Sequence, residues 1–375
     1  MAGMNNLLRT PGPLRNLILL GGVTLFFCVA AAVVLSTQRA ANSIQFEPEP
    51  FFPGLAETVN QATKLVYTTG LGMQGTANIT LERGDDGAWR VAQREGYPAK
   101  GDKVRKTIIG LTELEAFEPR TSNPEWHRNL GLLEPEKLGS AVRVQLFSAD
   151  GTELASLLAG EVVESTTDIQ GRGFVYVRRD GDDQTWLARG SVSLDKDVAN
   201  WLENEVPSVP LANTRRVTLW AGSETPAILS RTAPDHTNFV IENVPDGSVT
   251  RGAPIVNASA TAFSGFAFED AVPADSLLFP DPPVATVETF DGMKLTVTMT
   301  GAGNAMWAKF VAEADYQALG EEGGPEARTA LDAKVADMNT RFGAWAYKFE
   351  QNLGLRLTQT MDELTRPVAA PTVAP

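Results

Sequence analysis

The chain has 375 residues, a formal net charge of −14 and a single cysteine, Cys28. The acidic excess argues against nucleic-acid binding, because that needs clustered Lys and Arg side chains to displace counterions from phosphates. One cysteine cannot form an intrachain disulfide, so the fold depends on its hydrophobic core. The length is ample for such a core, in one large domain or in two.

Residues 17–35 form an uncharged apolar segment, LILLGGVTLFFCVAAAVVL. At about 1.5 Å per residue a helix of this length nearly spans a bilayer core of about 30 Å. We predict a transmembrane helix over residues 17–36, in contact with the lipid bilayer. Arg9 and Arg15 precede it without an acidic neighbour, so the positive-inside rule places residues 1–16 in the cytoplasm.

A cleavable signal peptide and a buried core helix are the alternatives for this segment. A signal peptide has an apolar region of about 7 to 15 residues before its cleavage site, whereas the alanines at 30–32 are followed by further apolar residues at 33–35. A core helix would show an amphipathic period, which is missing here. We expect an uncleaved single-pass anchor in a bacterial inner membrane, with the bulk of the chain in the periplasm. The lack of disulfides in so long an external part favours a bacterial envelope.

Residues 37–53 combine proline, acidic and aromatic residues. Such a composition cannot continue a helix, and it predicts a juxtamembrane linker with Phe51 and Phe52 at the lipid interface. The next apolar residues recur at helical spacing and predict one short amphipathic helix. They are Leu55, Val59, Ala62 and Val66.

Five Asp-Gly pairs follow, each beside runs of β-branched or aromatic residues. Their aspartates are Asp86, Asp150, Asp180, Asp246 and Asp291. Asp-Gly tolerates the positive φ angles that tight hairpin turns require. The flanking runs alternate as half-buried strands do, which predicts antiparallel sheets with added helices.

Helical periodicity interrupts the strands. It predicts helices over residues 101–114, 195–205, 306–319, 325–342 and 351–364. Pro325 suits the first turn of its helix, and residues 345–347 predict a closing strand or turn. The last residues, 366–375, form a tail of proline and small residues that we expect to be disordered.

Pro207 and Pro210 mark the best candidate domain boundary, and the halves on either side look alike. We predict a first α+β unit over residues 54–208 and a similar second unit over residues 209–365, which also carries the C-terminal helices. Corresponding residues recur at similar offsets: Arg83 and Arg231, Trp89 and Phe239, Gly151 and Gly292. The predicted fold class is therefore α+β, with a transmembrane helix followed by two similar antiparallel-sheet units.

The chain has few histidines and cysteines to bind a metal ion. Its two histidines, His127 and His236, have no second histidine or cysteine at ligand spacing, which excludes an ordinary zinc site. A lone surface or turn histidine is the better interpretation of each.

Two motifs resemble catalytic or cofactor loops without their context. Residues 70–75, GLGMQG, match the dinucleotide fingerprint but follow no βαβ strand and open no clear helix, so a loop leading into a strand is the better interpretation. Ser264 lacks the G-x-S-x-G frame of a hydrolase nucleophile. We therefore assign no catalytic, cofactor-binding or metal-binding residue.

Paired carboxylates remain open, because a glycosidase needs only two. Glu113, Glu115 and Glu118 could supply them, and so could the acidic turn at residues 180–183. That turn could also hold calcium, but it lacks the later glycine and glutamate of an EF-hand loop, which favours a plain hairpin.

Several short stretches carry a resemblance to a known family. They are FPGL at 52–55, ITLER at 79–83, WRV at 89–91, GYPA at 96–99, NLGL at 129–132 and WAY at 345–347. In these, the chain resembles the bacterial domain-of-unknown-function family 4340 over most of residues 50–365. The resemblance implies an anchored envelope protein that accompanies an ABC-type transport system related to gliding-motility auxiliary components.

These observations together predict a non-enzymatic accessory or binding subunit of an ABC-type transport system, with permease or auxiliary subunits as partners. No cofactor and no nucleic-acid partner is expected. Two alternatives stay open: an envelope glycan hydrolase that uses paired carboxylates, and a passive envelope scaffold.

Overall fold

The computed structural model describes residues 20–27, 29–31, 48–163, 167–168, 171–265, 267–302, 305–320 and 323–368. Residues 20–27 and 29–31 are helical, and no helix among the described residues is both long enough and apolar enough to cross a membrane. The rest of the predicted membrane helix, the predicted cytoplasmic residues 1–16 and most of the predicted linker lie outside the described residues.

Strands dominate both halves of the described chain. The first half contains β1 (Glu49–Pro50), β2 (Ala62–Gly70), β3 (Thr76–Arg83), β4 (Trp89–Val91), β5 (Tyr97–Pro98), β6 (Glu115–Pro119), β7 (Val142–Ser148), β8 (Glu153–Val163), β9 (Phe174–Arg179) and β10 (Thr185–Arg189). The second half contains β11 (Thr214–Leu219), β12 (Ala227–Ser230), β13 (Val240–Ile241), β14 (Ser248–Thr250), β15 (Phe268–Pro273), β16 (Val284–Thr289), β17 (Met293–Ala302), β18 (Ala305–Ala314), β19 (Trp345–Phe349) and β20 (Thr365–Pro367).

Helices lie between and after these strands. They are α1 (Leu55–Thr58), α2 (Gly101–Thr112), α3 (Ala253–Ala260), α4 (Pro325–Phe342), α5 (Gln351–Leu357) and α6 (Met361–Leu364).

Each half forms one large antiparallel sheet. The first has the order β1-β6-β10-β9-β8-β7-β2-β3-β4-β5, and the second has the order β13-β12-β11-β16-β17-β18-β19-β15. The paired strands in both are antiparallel. A separate two-stranded sheet joins β14 to β20. The predicted α+β class with antiparallel sheets is therefore confirmed.

The two sheets share one strand order. From β4 to β6 the first sheet runs β4-β3-β2-β7-β8-β9-β10-β6, which matches the second sheet strand for strand. Helix α2 precedes β6 just as α3 precedes β15. The hairpin turns match as well: Ser148 Oγ donates to Asp150 Oδ1 at 2.5 Å, and Thr289 Oγ1 donates to Asp291 Oδ1 at 2.5 Å.

Local signals in the sequence predicted several elements correctly. The glycine of each Asp-Gly pair has a φ angle between 76° and 87°, which favours glycine over any residue with a Cβ. The helix predicted over residues 101–114 is α2, and the helix predicted over residues 325–342 is α4, with Pro325 in its first turn. Residues 345–347 lie in β19.

One predicted helix is wrong in its second half and another over most of its length, because these residues form strands. Ala62 and Val66 belong to β2, which pairs with β3 and β7, so only α1 and a short 3-10 turn precede it. The helix predicted over residues 306–319 is largely β18, where buried Ala308, Phe310 and Ala312 alternate with more exposed residues. Their burial follows the period of two that a strand imposes.

Tertiary contacts override three further predictions. Residues 195–205 form only the 3-10 turn Val198–Trp201. Phe51 is fully buried under the Arg179 guanidinium, 4.6 Å from its ring centroid, so it does not lie at a lipid interface. The predicted linker therefore ends before β1, and β20 includes the first two residues of the predicted tail.

The two halves meet at β5 and β15. Arg94, just before β5, donates two hydrogen bonds to Asp270 of β15, at 2.6 and 2.8 Å. The Tyr97 and Trp345 rings pack edge to face at 4.9 Å. Buried apolar side chains of both halves form one continuous core cluster, so the join is packed as an interior.

Candidate functional site

The two histidines hold structure and do not form a shared site. His127 is buried, and its Nε2 donates to the Asp183 carbonyl oxygen at 2.9 Å, which ties the 3-10 helix Pro124–Leu130 to the β9–β10 turn. The expectation of a surface position is therefore wrong for His127. His236 is exposed, and its Nδ1 lies 3.0 Å from the Thr232 hydroxyl.

The two loop motifs are turns. Residues 70–75 connect β2 to β3, and Leu71 N donates to Gly75 O at 2.8 Å across this connection. Ser264 lies in the turn after α3 and donates its hydroxyl to Thr261 O at 2.8 Å. In this geometry neither motif resembles a phosphate cradle or a nucleophile elbow.

The candidate glycosidase acid at Glu115 is held in its ionised form. Its carboxylate lies 3.1 Å from Arg172 and 2.8 Å from Arg189. Burial alone would raise the pKa of Glu115, but the two guanidinium groups outweigh burial and lower it. A general acid of a glycosidase needs a raised pKa, so Glu115 does not suit that role.

Glu118 and two acids of the acidic turn also make structural contacts, while Glu113 is exposed. Glu118 lies 3.0 Å from Arg120. In the β9–β10 turn, Asp180 pairs with Arg143 at 2.9 Å and Asp182 accepts a hydrogen bond from Gln184 N. Among the residues that the structure describes, no group of three or more His, Cys, Asp or Glu side chains could hold a metal ion.

Helix α2 lies beside two concave surfaces. This helix buries Val104, Thr107 and Leu111 on one face, and an acidic residue in its first turn suits the positive end of the helix dipole. Gly110 allows it to lie against the loop after β10, because a Cβ at that position would stand 2.0 Å from Ser191 O. Two clefts remain open on the sides of α2.

The first cleft, which we call the lysine cleft, has a volume of about 810 Å³ and is lined by Lys100, Lys103 and Lys106 with Thr107, Ser191 and Ser193. Lys103 Nζ lies 2.7 Å from Asp195 Oδ2 and 4.3 Å above the Trp201 ring. Lys106 is exposed and has no ion-pair partner among the described residues. Asp102 and Glu203 also line the cleft, so three lysines and two acidic residues surround it.

A strap of residues 195–203 closes one side of the lysine cleft. Trp201 is fully buried with its ring 4.9 Å from Tyr67, and its backbone oxygen accepts a hydrogen bond from Lys100 N at 2.8 Å. Burial alone would raise the pKa of Asp195, but hydrogen bonds from Lys103, Asn200 and the backbone outweigh it and lower the pKa. Asp195 therefore stays ionised, and its contact with Lys103 holds the strap against α2.

The second cleft, which we call the arginine groove, has a volume of about 560 Å³. Apolar residues from three parts of the first half line it, among them Val59, Trp89, Ile108 and Ile109. Arg83 and Arg105 also line it, and both side chains are exposed. The groove shares Gly101 with the lysine cleft, so the two concave surfaces flank the same helix.

A comparison with protein families identifies the chain. The family model of DUF4340, a domain of unknown function, matches residues 89–277, half of the chain. The chain belongs to the DUF4340 family. Searches of the curated proteins and of the solved structures found no match to it.

The DUF4340 match begins at the first residue of β4 and ends after β15, so it includes α2, the strap and most residues of both clefts. Three stretches that carried the sequence resemblance, at 52–55, 79–83 and 345–347, lie outside it. Arg83 and Val59 of the arginine groove also precede it.

Sequence reasoning missed the surface around α2 in this DUF4340 protein. The signal was the stretch KGDKVRK at residues 100–106, which places Lys and Arg side chains on one helix of an acidic chain. The sequence could not show that Arg83 and Arg105 line the same groove, because β3 and α2 come together only in the folded chain.

Proposed function

We propose that this DUF4340 protein is a single-pass anchored protein of a bacterial inner membrane, with its N-terminus in the cytoplasm and its folded part in the periplasm. In this proposal it is a non-enzymatic accessory or binding subunit of an ABC-type transport system. The transport partner follows from the family resemblance, and the binding role follows from the clefts around α2.

One observation carries the membrane placement. The helical residues 20–27 and 29–31 expose large apolar side chains, and Leu20, Leu25, Phe26 and Phe27 are each between 66% and 69% exposed. No other described part of the chain covers them. Apolar surface of this extent is unfavourable in contact with water, and a lipid bilayer would shield it for an uncharged segment of this length.

The binding role is favoured over the two alternatives. A glycan hydrolase needs a protonated carboxylic acid, whereas the pKa of Glu115 is lowered by Arg172 and Arg189. A passive scaffold needs no concave surface, whereas two clefts with clustered cations flank α2.

Affinity purification of the tagged full-length chain from gently solubilised membranes tests this function. We expect the chain to stay in the membrane fraction after a carbonate wash and a permease or ATPase subunit to co-purify with it. A Val23→Arg, Phe26→Arg double variant should leave the membrane fraction, because charges at the bilayer centre are costly. Recovery of the wild-type chain in the soluble fraction, or without any transporter subunit above background, would overturn the proposal.

A further inference from the structure

The two halves place an arginine and an aromatic residue at equivalent positions. Arg83 ends β3, and Arg231 directly follows β12, the equivalent strand. Trp89 begins β4, and Phe239 directly precedes β13. The same local pair therefore stands beside α2 in the first half and beside α3 in the second.

In the second half, neighbouring residues enclose the arginine at this position. Arg231 is 6% exposed, and its guanidinium lies 5.2 Å from the centroid of the buried Phe239 ring. Within the described part of the chain its hydrogen bonds go to backbone oxygens, those of Leu211, Thr214, Pro234 and His236. Asn257 of α3 adds a bond, since its Oδ1 accepts from Phe239 N at 2.9 Å.

In the first half the equivalent position is open. Arg83 is exposed, and within the described chain its side chain donates one long hydrogen bond, to Gly87 O at 3.4 Å, and has no ion-pair partner. Arg105 of α2 pairs with Asp102, and both side chains are more than two-thirds exposed. Between these arginines lies the apolar wall of the arginine groove, where Ile109 is 45% exposed.

We propose that the arginine groove binds a peptide segment of a partner protein in which acidic residues alternate with large apolar side chains. This inference rests on the proposed binding function and names the chemistry of the partner. The apolar side chains pack on Val59, Trp89 and Ile108, and the carboxylates pair with Arg83 and Arg105. Arginine beside a half-buried tryptophan is the composition of binding hot spots, and guanidinium–carboxylate pairs are the strong polar contacts of such surfaces.

Charge complementarity decides between an acidic and a basic partner segment. Arg83 and Arg105 line the groove, and among the described residues no acidic side chain lines it. A basic segment would meet like charges there. An uncharged apolar segment would offer no carboxylate to Arg83, which has no ion-pair partner in the described chain.

Fluorescence anisotropy with the full-length protein in detergent tests the groove. The probes are fluorescein-labelled synthetic peptides of equal length that alternate Glu with Leu, Lys with Leu, Gln with Leu, or Glu with Ser. We expect the Glu-Leu peptide to bind most tightly. The Arg83→Glu, Arg105→Glu double variant should weaken it at least about tenfold, because like charges replace the ion pairs.

Two further variants make the result specific to the groove. Ala88→Trp fills the groove from an exposed position and should also abolish binding. Arg128→Glu makes the same charge change at an exposed arginine that does not line the groove, and it should change the affinity less than about twofold. Equal affinities for all peptides, or unchanged binding by the groove variants, would overturn the inference.

Co-purification of the same variants separates this inference from the proposed function. Loss of the transporter subunit in the groove variants, with the chain still in the membrane fraction, supports the groove as the partner site. If the subunit still co-purifies with the groove variants, the groove inference is wrong and the accessory function stands. If no subunit co-purifies with wild type, the accessory function fails, and the peptide result alone decides the chemistry of the groove.

Discussion

Arg83 and Arg231 stand at the same position in two sheets of the same strand order, yet Arg231 is buried against Phe239 while Arg83 is exposed beside an open groove. Equal sequence signals thus lead to different environments. The difference arises from neighbours that are distant in the chain: backbone oxygens surround Arg231, whereas an apolar cleft adjoins Arg83.

This difference predicts opposite sensitivities of the two arginines. Arg231→Leu should destabilise the protein by about 2–4 kcal/mol, because it leaves several buried carbonyl groups without a donor. Arg83→Leu should change the free energy of unfolding by no more than about 0.5 kcal/mol. Urea unfolding of both variants measures the change in the free energy of unfolding. Equal losses of stability would contradict the conclusion that Arg231 satisfies buried carbonyl groups.

Helix α2 depends on the glycine at its contact with the loop after β10. Gly110→Ala should cost about 1–3 kcal/mol, because the added Cβ would overlap Ser191 O. Gly101→Ala on the same helix is the matched control, since no heavy atom lies within 4 Å of its Cβ position. The melting temperatures of the two variants should differ clearly. An unchanged melting temperature in Gly110→Ala would show that the loop after β10 moves away from the added Cβ at little cost.

The strap depends on Trp201. Trp201→Ala should destabilise the protein by about 3–5 kcal/mol and expose residues 195–203, because a fully buried ring is lost from its contact with Tyr67. Trp126→Ala removes a ring that is 56% exposed, and its cost should be far smaller. Hydrogen exchange of the strap measures the local effect; unchanged protection in Trp201→Ala would mean that other contacts hold the strap.

Glu134 gives the fold a dependence on pH. Burial alone would raise its pKa, but a backbone hydrogen bond and contacts with Arg178 and Lys137 outweigh burial and lower the pKa from 4.5 to about 2. Its stabilising effect is therefore complete above the unfolded value of 4.5 and is lost as the pH falls toward 2.

Glu134→Gln should accordingly cost about 1.5–3 kcal/mol at pH 7, with a difference from wild type that shrinks between pH 4.5 and pH 2. Urea unfolding at pH 7, 5 and 3 measures this difference. Glu118→Gln is the control, because its pair with Arg120 is largely exposed and contributes little. A difference that stays constant down to pH 3 would contradict the role of Glu134.

Some elements could be predicted because their signals are local. An Asp-Gly pair fixes a positive φ angle whatever surrounds it, and α4 begins at a proline and keeps its helical period as far as Phe342. The paired positions of Arg83 and Arg231, and of Trp89 and Phe239, were also visible in the sequence, and the common strand order places them alike.

Other elements depended on partners that the sequence does not reveal. Residues 62–70 and 305–314 carry apolar residues that suit a helix as well as a strand, and pairing with strands far along the chain decided for the strand. The same holds for His127, whose burial requires the β9–β10 turn to lie against it.

By itself, the sequence determined the turns, the longest helices, the antiparallel character of the fold and the apolar segment at residues 17–35. Each of these depends on the types and spacing of residues that are close together in the chain. Only the tertiary structure decided which ambiguous segments are strands, and which arginine is enclosed and which is left at an open groove. The physical reason is that burial and hydrogen-bond partners come from contacts between distant residues, and local periodicity carries no information about them.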